Sequence, residues 1–157
     1  GDNGGMKKYW LMKSEPDEFS IDALCKVGVE PWTGVRNYQA RNFMMKDMKV
    51  GDGILFYHSN CAVPGVAGLA EVASTAYPDP TQFQRKSDYF DAASKPDEPR
   101  WWLVDVGFSR KFKRVVALDE LRAQAEALGD FALLRRGNRL SVLPVTAAQY
   151  KHILTLE

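Results

Sequence analysis

Ile54-Leu55-Phe56-Tyr57-His58-Ser59 is the stretch on which the fold turns. It is β-branched and aromatic, too short for a helix, and bounded by the tight turn Gly51-Asp52-Gly53 and the loop Asn60–Pro64. Strand alternation puts Ile54, Phe56 and His58 on one face and Leu55, Tyr57 and Ser59 on the other. Both faces are largely apolar, as in a barrel wall. Gly65-Val66-Ala67-Gly68-Leu69-Ala70-Glu71-Val72 reads as the returning strand, its glycines allowing tight curvature or close backbone approach.

Before this hairpin, Tyr9 to Lys13 reads as a first strand, ended by the proline of Ser14-Glu15-Pro16-Asp17 in a turn that exposes Ser14. Ser20 caps a helix that carries Ile21, Leu24 and Cys25 on one face and stops at Gly28, which makes Cys25 a small core residue. Asn37 caps a second helix, from about Tyr38 to Met45, with Phe43, Met44 and Met48 on its apolar side. After the hairpin, Tyr77 to Pro99 holds Pro78, Pro80, Pro96 and Pro99, with Phe83, Tyr89 and Phe90 as its large anchors. That composition predicts a long functional or unstructured loop. Trp101 to Phe108 is a long strand running into the basic Ser109–Arg114 segment. Leu118 to Leu128 has helical spacing and closes at Gly129. Leu133 to Leu143 is a basic turn leading into a last short strand, and Thr146 caps a closing helix with Tyr150, Ile153 and Leu154. Some five short strands with three or four inserted helices, without regular β-α alternation, give an α+β fold: a small, partly open mixed β-barrel with peripheral helices.

The 157 residues, 45% hydrophobic and 26% charged, suit one core. Residues 7–157 are read as a single domain, and residues 1–6, opening Gly-Asp-Asn-Gly-Gly, as an unstructured or cloning-derived end. A net charge of +1 means that any polyanion must be met by a local patch. Two cysteines and no long apolar run point to a reducing cytoplasm, with no membrane partner.

Recognition chemistry concentrates in Trp32-Thr33-Gly34-Val35-Arg36-Asn37-Tyr38-Gln39-Ala40-Arg41-Asn42-Phe43. Singly, Trp32, Tyr38 and Phe43 read as core, and Arg36 and Arg41 as a solvated helix face or phosphate contacts. Their density marks the wall of a binding site. Phosphate-loop, dinucleotide, His-Glu-x-x-His and Gly-x-Ser-x-Gly signatures are absent, so no cofactor or metal is expected. His58 and Cys61 form the one arrangement suited to nucleophilic catalysis, without an orienting third group. What remains suits a planar heteroaromatic ligand. Trp32 and Tyr57 can stack on a base, contributing about 1 to 3 kcal/mol per base. Lys13, Ser14, Asn37, His58, Ser59 and Asn60 can reach its polar edges. Arg110, Lys111, Lys113 and Arg114, with Arg135, Arg136 and Arg139, can hold flanking phosphates.

Several of these blocks, in this order, resemble the EVE domain, above all its bacterial members related to thymocyte nuclear protein. They are Tyr9-Trp10-Leu11-Met12-Lys13-Ser14-Glu15-Pro16, the Trp32–Phe43 block, Phe56-Tyr57-His58-Ser59-Asn60-Cys61, Pro64-Gly65-Val66-Ala67-Gly68, Ala76-Tyr77-Pro78-Asp79 and Arg139-Leu140-Ser141-Val142. The resemblance covers Lys8 to about Leu156. It implies a PUA-like barrel, related to the YTH and SRA readers, and a non-catalytic pocket for a flipped, modified base. Methylated and hydroxymethylated cytosine in DNA are the implied ligands, with RNA open. The family's pocket motifs fall on Lys13, Ser14, Trp32, Asn37, Tyr38, Tyr57, His58, Ser59, Asn60, Arg139, Leu140 and Ser141. The alternative readings are a nucleotide-metabolite binder or enzyme using the same pocket with Cys61 or His58, and an interaction domain presenting Trp101 and Trp102. Oligomeric state is not legible in residue spacing.

Overall fold

The computed structural model describes residues 6–157; the sequence reading of Gly1–Gly5 lies outside that range. Its centre is a six-stranded mixed sheet, in which β1 (Tyr9–Ser14) lies between β3 (Gly53–His58) and β8 (Val142–Val145). The β1–β3 pair is parallel, Tyr9 opposite Gly53 through Ser14 opposite His58, and β1–β8 is antiparallel. Beyond β3 come β4 (Gly65–Val72), β7 (Asp105–Ala117) and the edge strand β2 (Val29–Pro31). A separate pair, β5 (Tyr77–Pro78) and β6 (Trp102–Leu103), lies off this sheet.

The largely apolar faces of β3 and its neighbours meet two cores, one on each side. Trp10, Met12, Ile54 and Phe56 enter one apolar cluster, while Leu11, Leu55, Tyr57 and Leu143 enter another. Helix α1 (Ile21–Val27) brings Ile21 and Leu24 to the first cluster; α3 (Leu118–Ala123), α4 (Ala125–Leu128) and α5 (Ala147–Leu154) bring Leu121, Leu128 and Ile153 to the second. Each such side chain contributes about 1.5 to 3 kcal/mol by leaving water, which explains why β1 and β3 are apolar at nearly every position.

The sheet curls into a half-barrel instead of lying flat. Register shifts fall between Phe56 and Tyr57 on β3, and on β4 between Val66 and Gly68 and between Leu69 and Ala70; such irregularities sharpen local twist and bend. At Gly68 a Cβ would sit 2.5 Å from the Arg110 carbonyl oxygen, so glycine is what lets β7 approach.

Five local expectations change. The strand expected over Trp101–Phe108 divides at Val104: Trp102–Leu103 pairs with β5, while β7 starts at Asp105 and runs on through the basic Ser109–Arg114 segment to Ala117. Cys25 is exposed, because the helix face that meets the core carries Ile21 and Leu24. The second helix is α only over Tyr38–Asn42 (α2) and widens into a π turn over Phe43–Asp47, which keeps Met44 buried. The long third helix breaks at Gln124 into α3 and α4. The Tyr77–Pro99 loop is organised around fully buried Gln82 (0% exposed). Its amide nitrogen donates to the carbonyls of Asp79 and Trp101, both at 2.7 Å, and its amide oxygen accepts from the Ser94 hydroxyl at 2.5 Å and the Trp101 amide at 3.1 Å. A buried amide with both ends satisfied orders a segment that composition alone makes look loose.

Candidate nucleic-acid interface

Three chain segments meet where β1 and β3 end. The Lys13 amide donates to the Ser141 carbonyl and the Ser59 amide to the Ser14 carbonyl, each at 2.9 Å. The Ser14 hydroxyl turns to the Phe19 carbonyl at 2.5 Å, and the Asn60 side-chain amide, on a residue with φ of 52°, donates to Glu15 Oε1 at 3.2 Å. Asn138 shapes the approach to β8: its side chain donates to the Ala132 carbonyl and accepts from the Leu140 amide, both at 2.8 Å, leaving Arg139 exposed at the turn.

These segments face the stretch that follows edge strand β2 across a cleft of about 1050 Å³, room for a nucleobase with its sugar. Of the residues nominated from sequence, Lys13, Ser14, Trp32, Ser59, Asn60, Arg139 and Ser141 line it, as does Arg36. Trp32 is 8% exposed, packed edge-on against Phe19 and Phe56 at centroid distances of 6.3 and 5.6 Å. Trp10, Trp101 and Trp102 each donate their indole N–H, to Asp52 at 3.0 Å, Asp91 at 2.7 Å and the Pro99 carbonyl at 3.1 Å. The Trp32 indole N–H has no acceptor among the described residues. Buried tryptophans ordinarily satisfy this group.

The structure draws the other nominated pocket residues away from the cleft. Tyr57 alternates to the opposite face of β3 and packs in the second cluster, so it cannot share a base with Trp32; Lys13 Nζ lies 6.0 Å from its ring. His58 Nε2 accepts from the Ile21 amide at 3.1 Å, satisfying a free N–H at the start of α1. That bond engages the nitrogen that a Cys61 nucleophile would need as base. Asn37 caps α2 by accepting from the Ala40 amide at 3.0 Å. Tyr38 stacks on Trp101 at 4.8 Å with the Arg41 guanidinium 4.6 Å from its ring centroid, on the outer surface. Leu140 packs against the second cluster.

Most of the nominated phosphate contacts are also engaged within the chain. All five N–H groups of Arg36 are used: two go to the Tyr89 carbonyl at 3.1 and 2.8 Å, one to the Val35 carbonyl at 3.1 Å, one to Asp79 at 3.0 Å and one to Thr81 at 3.1 Å. Arg41 bonds the Arg100 carbonyl at 2.8 Å. Arg110 pairs with Glu157, Lys111 with Asp22 at 2.8 Å, Arg114 with Glu120 at 2.7 Å and Arg135 with Asp130 at 2.9 Å. Local carboxylates therefore pair with four of the seven cations in the basic segments that stand out in sequence. Among the described residues, Arg41, Lys113, Arg136 and Arg139 of the nominated phosphate contacts, and Lys13 of the nominated pocket, have no carboxylate partner; of these Lys13 and Arg139 line the cleft.

The cleft also holds residues that sequence reading passed over, notably Glu15, Glu18, Glu30, Phe19 and Tyr89. Tyr89 comes from the Gln82-centred loop, its ring so close to Gly34 that a Cβ there would lie 2.5 Å from it. Glu30 was legible only as a carboxylate two residues before Trp32. Burial raises its carboxyl above the usual value and lowers the Lys13 ammonium. Among the described residues, no group of three or more His, Cys, Asp or Glu side chains is placed to hold a metal ion, and no helix is long and apolar enough to cross a membrane.

Comparison with known proteins places this architecture. The chain is 46% identical over 168 residues to thymocyte nuclear protein 1 of Danio rerio, covering 94% of this chain and 71% of that protein. It is 42% identical over 170 residues to the Homo sapiens protein of the same name, covering 97% and 75%. Among solved structures, human THYN1 protein in complex with DNA containing 5-methylcytosine superposes with a TM-score of 0.90 at 41% identity, covering 96% of this chain and 97% of that one. A Pseudomonas syringae protein superposes at 0.90 with 50% identity, covering 94% and 98%. The EVE domain family model matches residues 8–156. The chain belongs to the EVE domain family.

Proposed function

We propose that this protein is a non-catalytic reader of modified bases in DNA, taking an extruded 5-substituted cytosine into the cleft walled by Trp32. The observation that carries this reading is the nearly buried indole of Trp32, which lines a cleft with room for a nucleotide and whose N–H has no acceptor among the described residues. Lys13 and Arg139, both without carboxylate partners among the described residues, supply the charge that a flanking phosphate needs. The human relative's complex with 5-methylcytosine-containing DNA supports DNA as the partner and cytosine as the base.

Extrusion costs a few kcal/mol, which base contacts and phosphate pairing must offset, so unmodified duplex binds weakly and affinity falls with salt. The test is fluorescence anisotropy with oligonucleotides identical except for cytosine, 5-methylcytosine or 5-hydroxymethylcytosine at one position, as duplexes and single strands, at several salt concentrations. Tighter binding to one modified form, with a negative salt slope, supports the reading. Equal affinity for all forms counts against it.

A further inference from the structure

A cleft built for a polyanion is an unfavourable place for an isolated carboxylate. Two of the acidic residues lining it are readily accounted for: Glu15 accepts from Asn60 at 3.2 Å, and Glu18 is exposed. Glu30 is different. It sits half-buried on β2, opposite Val106 of β7, and no donor or cation pairs with it among the described residues. The ladder between β2 and the strand beyond continues one residue further, where the Trp32 amide donates to the Val104 carbonyl at 3.1 Å. Residues two apart on an extended strand share a face. Glu30 and Trp32 therefore project side by side into the same cleft, and both line it. One presents an unused acceptor and the other an unused donor.

That pairing matches the edge of one kind of base. Cytosine and its 5-substituted forms offer an exocyclic amine as donor beside ring-nitrogen and carbonyl acceptors, whereas thymine, with the same ring and 5-methyl group, puts a carbonyl where the amine was. We propose that Glu30 is the specificity-determining residue of the cleft, its carboxylate accepting a hydrogen bond from the exocyclic amine of the extruded base and so selecting 5-methylcytosine over thymine. The inference rests on the base-reading function proposed above. A thymine O4 facing Glu30 leaves two acceptors opposed and a half-buried carboxylate unpaired, which is a stronger basis for rejection than the fit of a methyl group. Burial of the Glu30 carboxyl makes the unpaired state costlier still.

The experiment compares wild type with Glu30→Gln on single-stranded oligonucleotides carrying 5-methylcytosine, thymine or cytosine at one position, read by anisotropy, with thermal melts to confirm that the variant folds. Glutamine keeps the size and hydrogen-bonding reach of glutamate but can donate to thymine O4. Wild type is expected to favour 5-methylcytosine over thymine by roughly tenfold or more, and Glu30→Gln to bring that ratio near one, through weaker 5-methylcytosine binding and stronger thymine binding. An unchanged ratio in the variant, or no discrimination by wild type, overturns the role of Glu30 while a preference for 5-methylcytosine over cytosine leaves the reader function standing. Absence of any oligonucleotide binding by wild type overturns both.

Discussion

Asp79, 1% exposed, holds Arg36 at 3.0 Å, and through it the rim of the cleft. The same carboxylate accepts from the Gly34 amide, the Thr81 amide, both at 2.8 Å, and the Thr81 hydroxyl at 2.5 Å. Arg36 passes the constraint on to the Tyr89 carbonyl, so the turn that carries Gly34 and the loop that carries Tyr89 are tied to one buried group.

Breaking that group should therefore loosen the cleft as well as the fold. Burial works to raise the Asp79 carboxyl, but hydrogen bonds from Thr81, Gly34 and Arg36 outweigh it and hold the carboxyl below the usual carboxylate range. A depressed folded pKa means stability that is present at neutral pH and lost as pH falls below the unfolded carboxylate value of about 4. Asp79→Ala leaves Arg36 without its counter-charge and is expected to cost about 2 to 4 kcal/mol in urea denaturation at pH 7. Hydrogen exchange should show new opening at residues 87–91.

His58 predicts a separate acid transition. Burial lowers its pKa, with Asp22 opposing and Lys111 adding to the shift, and Nε2 must stay unprotonated to accept from Ile21. The unfolded chain binds that proton more readily, so the His58 contribution is full above the ordinary value of 6.5 and is lost as pH falls through the lower folded value. His58→Gln keeps an acceptor and removes the titration. Its stability profile is expected to be flatter than wild type just below pH 6.5, while His58→Ala should cost about 1 to 2 kcal/mol at neutral pH by stranding the Ile21 amide.

Trp32 is both core and cleft wall, which governs how its role can be tested. Trp32→Ala removes a side chain packed on Phe19 and Phe56 and is expected to cost about 3 to 5 kcal/mol, so a loss of binding would be ambiguous. Trp32→Phe retains most of that packing and deletes only the indole N–H and part of the ring. Its melting temperature should drop modestly, and its affinity for 5-methylcytosine oligonucleotides should fall roughly two- to tenfold, the worth of one hydrogen bond.

Ion pairing separates two kinds of cation. Arg139→Ala and Lys13→Gln remove cleft cations that have no carboxylate partner among the described residues, and each is expected to reduce the slope of log affinity against log salt by about one. Arg114→Ala and Arg135→Ala remove cations already paired with Glu120 and Asp130. Those variants should leave the slope unchanged in the same anisotropy titrations.

Residue pattern alone was enough to place β1, β3 and β4, because the apolar runs Trp10–Met12, Ile54–Tyr57 and Val66–Ala70 leave no face for water, but it did not show the short strands β2 and β5 or the break at Val104. It likewise determined the caps at Ser20, Asn37 and Thr146, where a short side chain bonds an amide within its own turn. Local chemistry of this kind is complete within a few residues. The fold supplied the remainder. It split Trp32 from Tyr57 by sheet face, engaged His58 and Arg36 with distant backbone, and paired Arg110, Arg114 and Arg135 with Glu157, Glu120 and Asp130. It also brought Glu30 and Tyr89 to a cleft that neither announces in sequence. A side chain's availability to a ligand depends on what else the fold places within hydrogen-bond reach. Asp79 lies 43 residues from Arg36 in the chain, and only the folded backbone brings the two together.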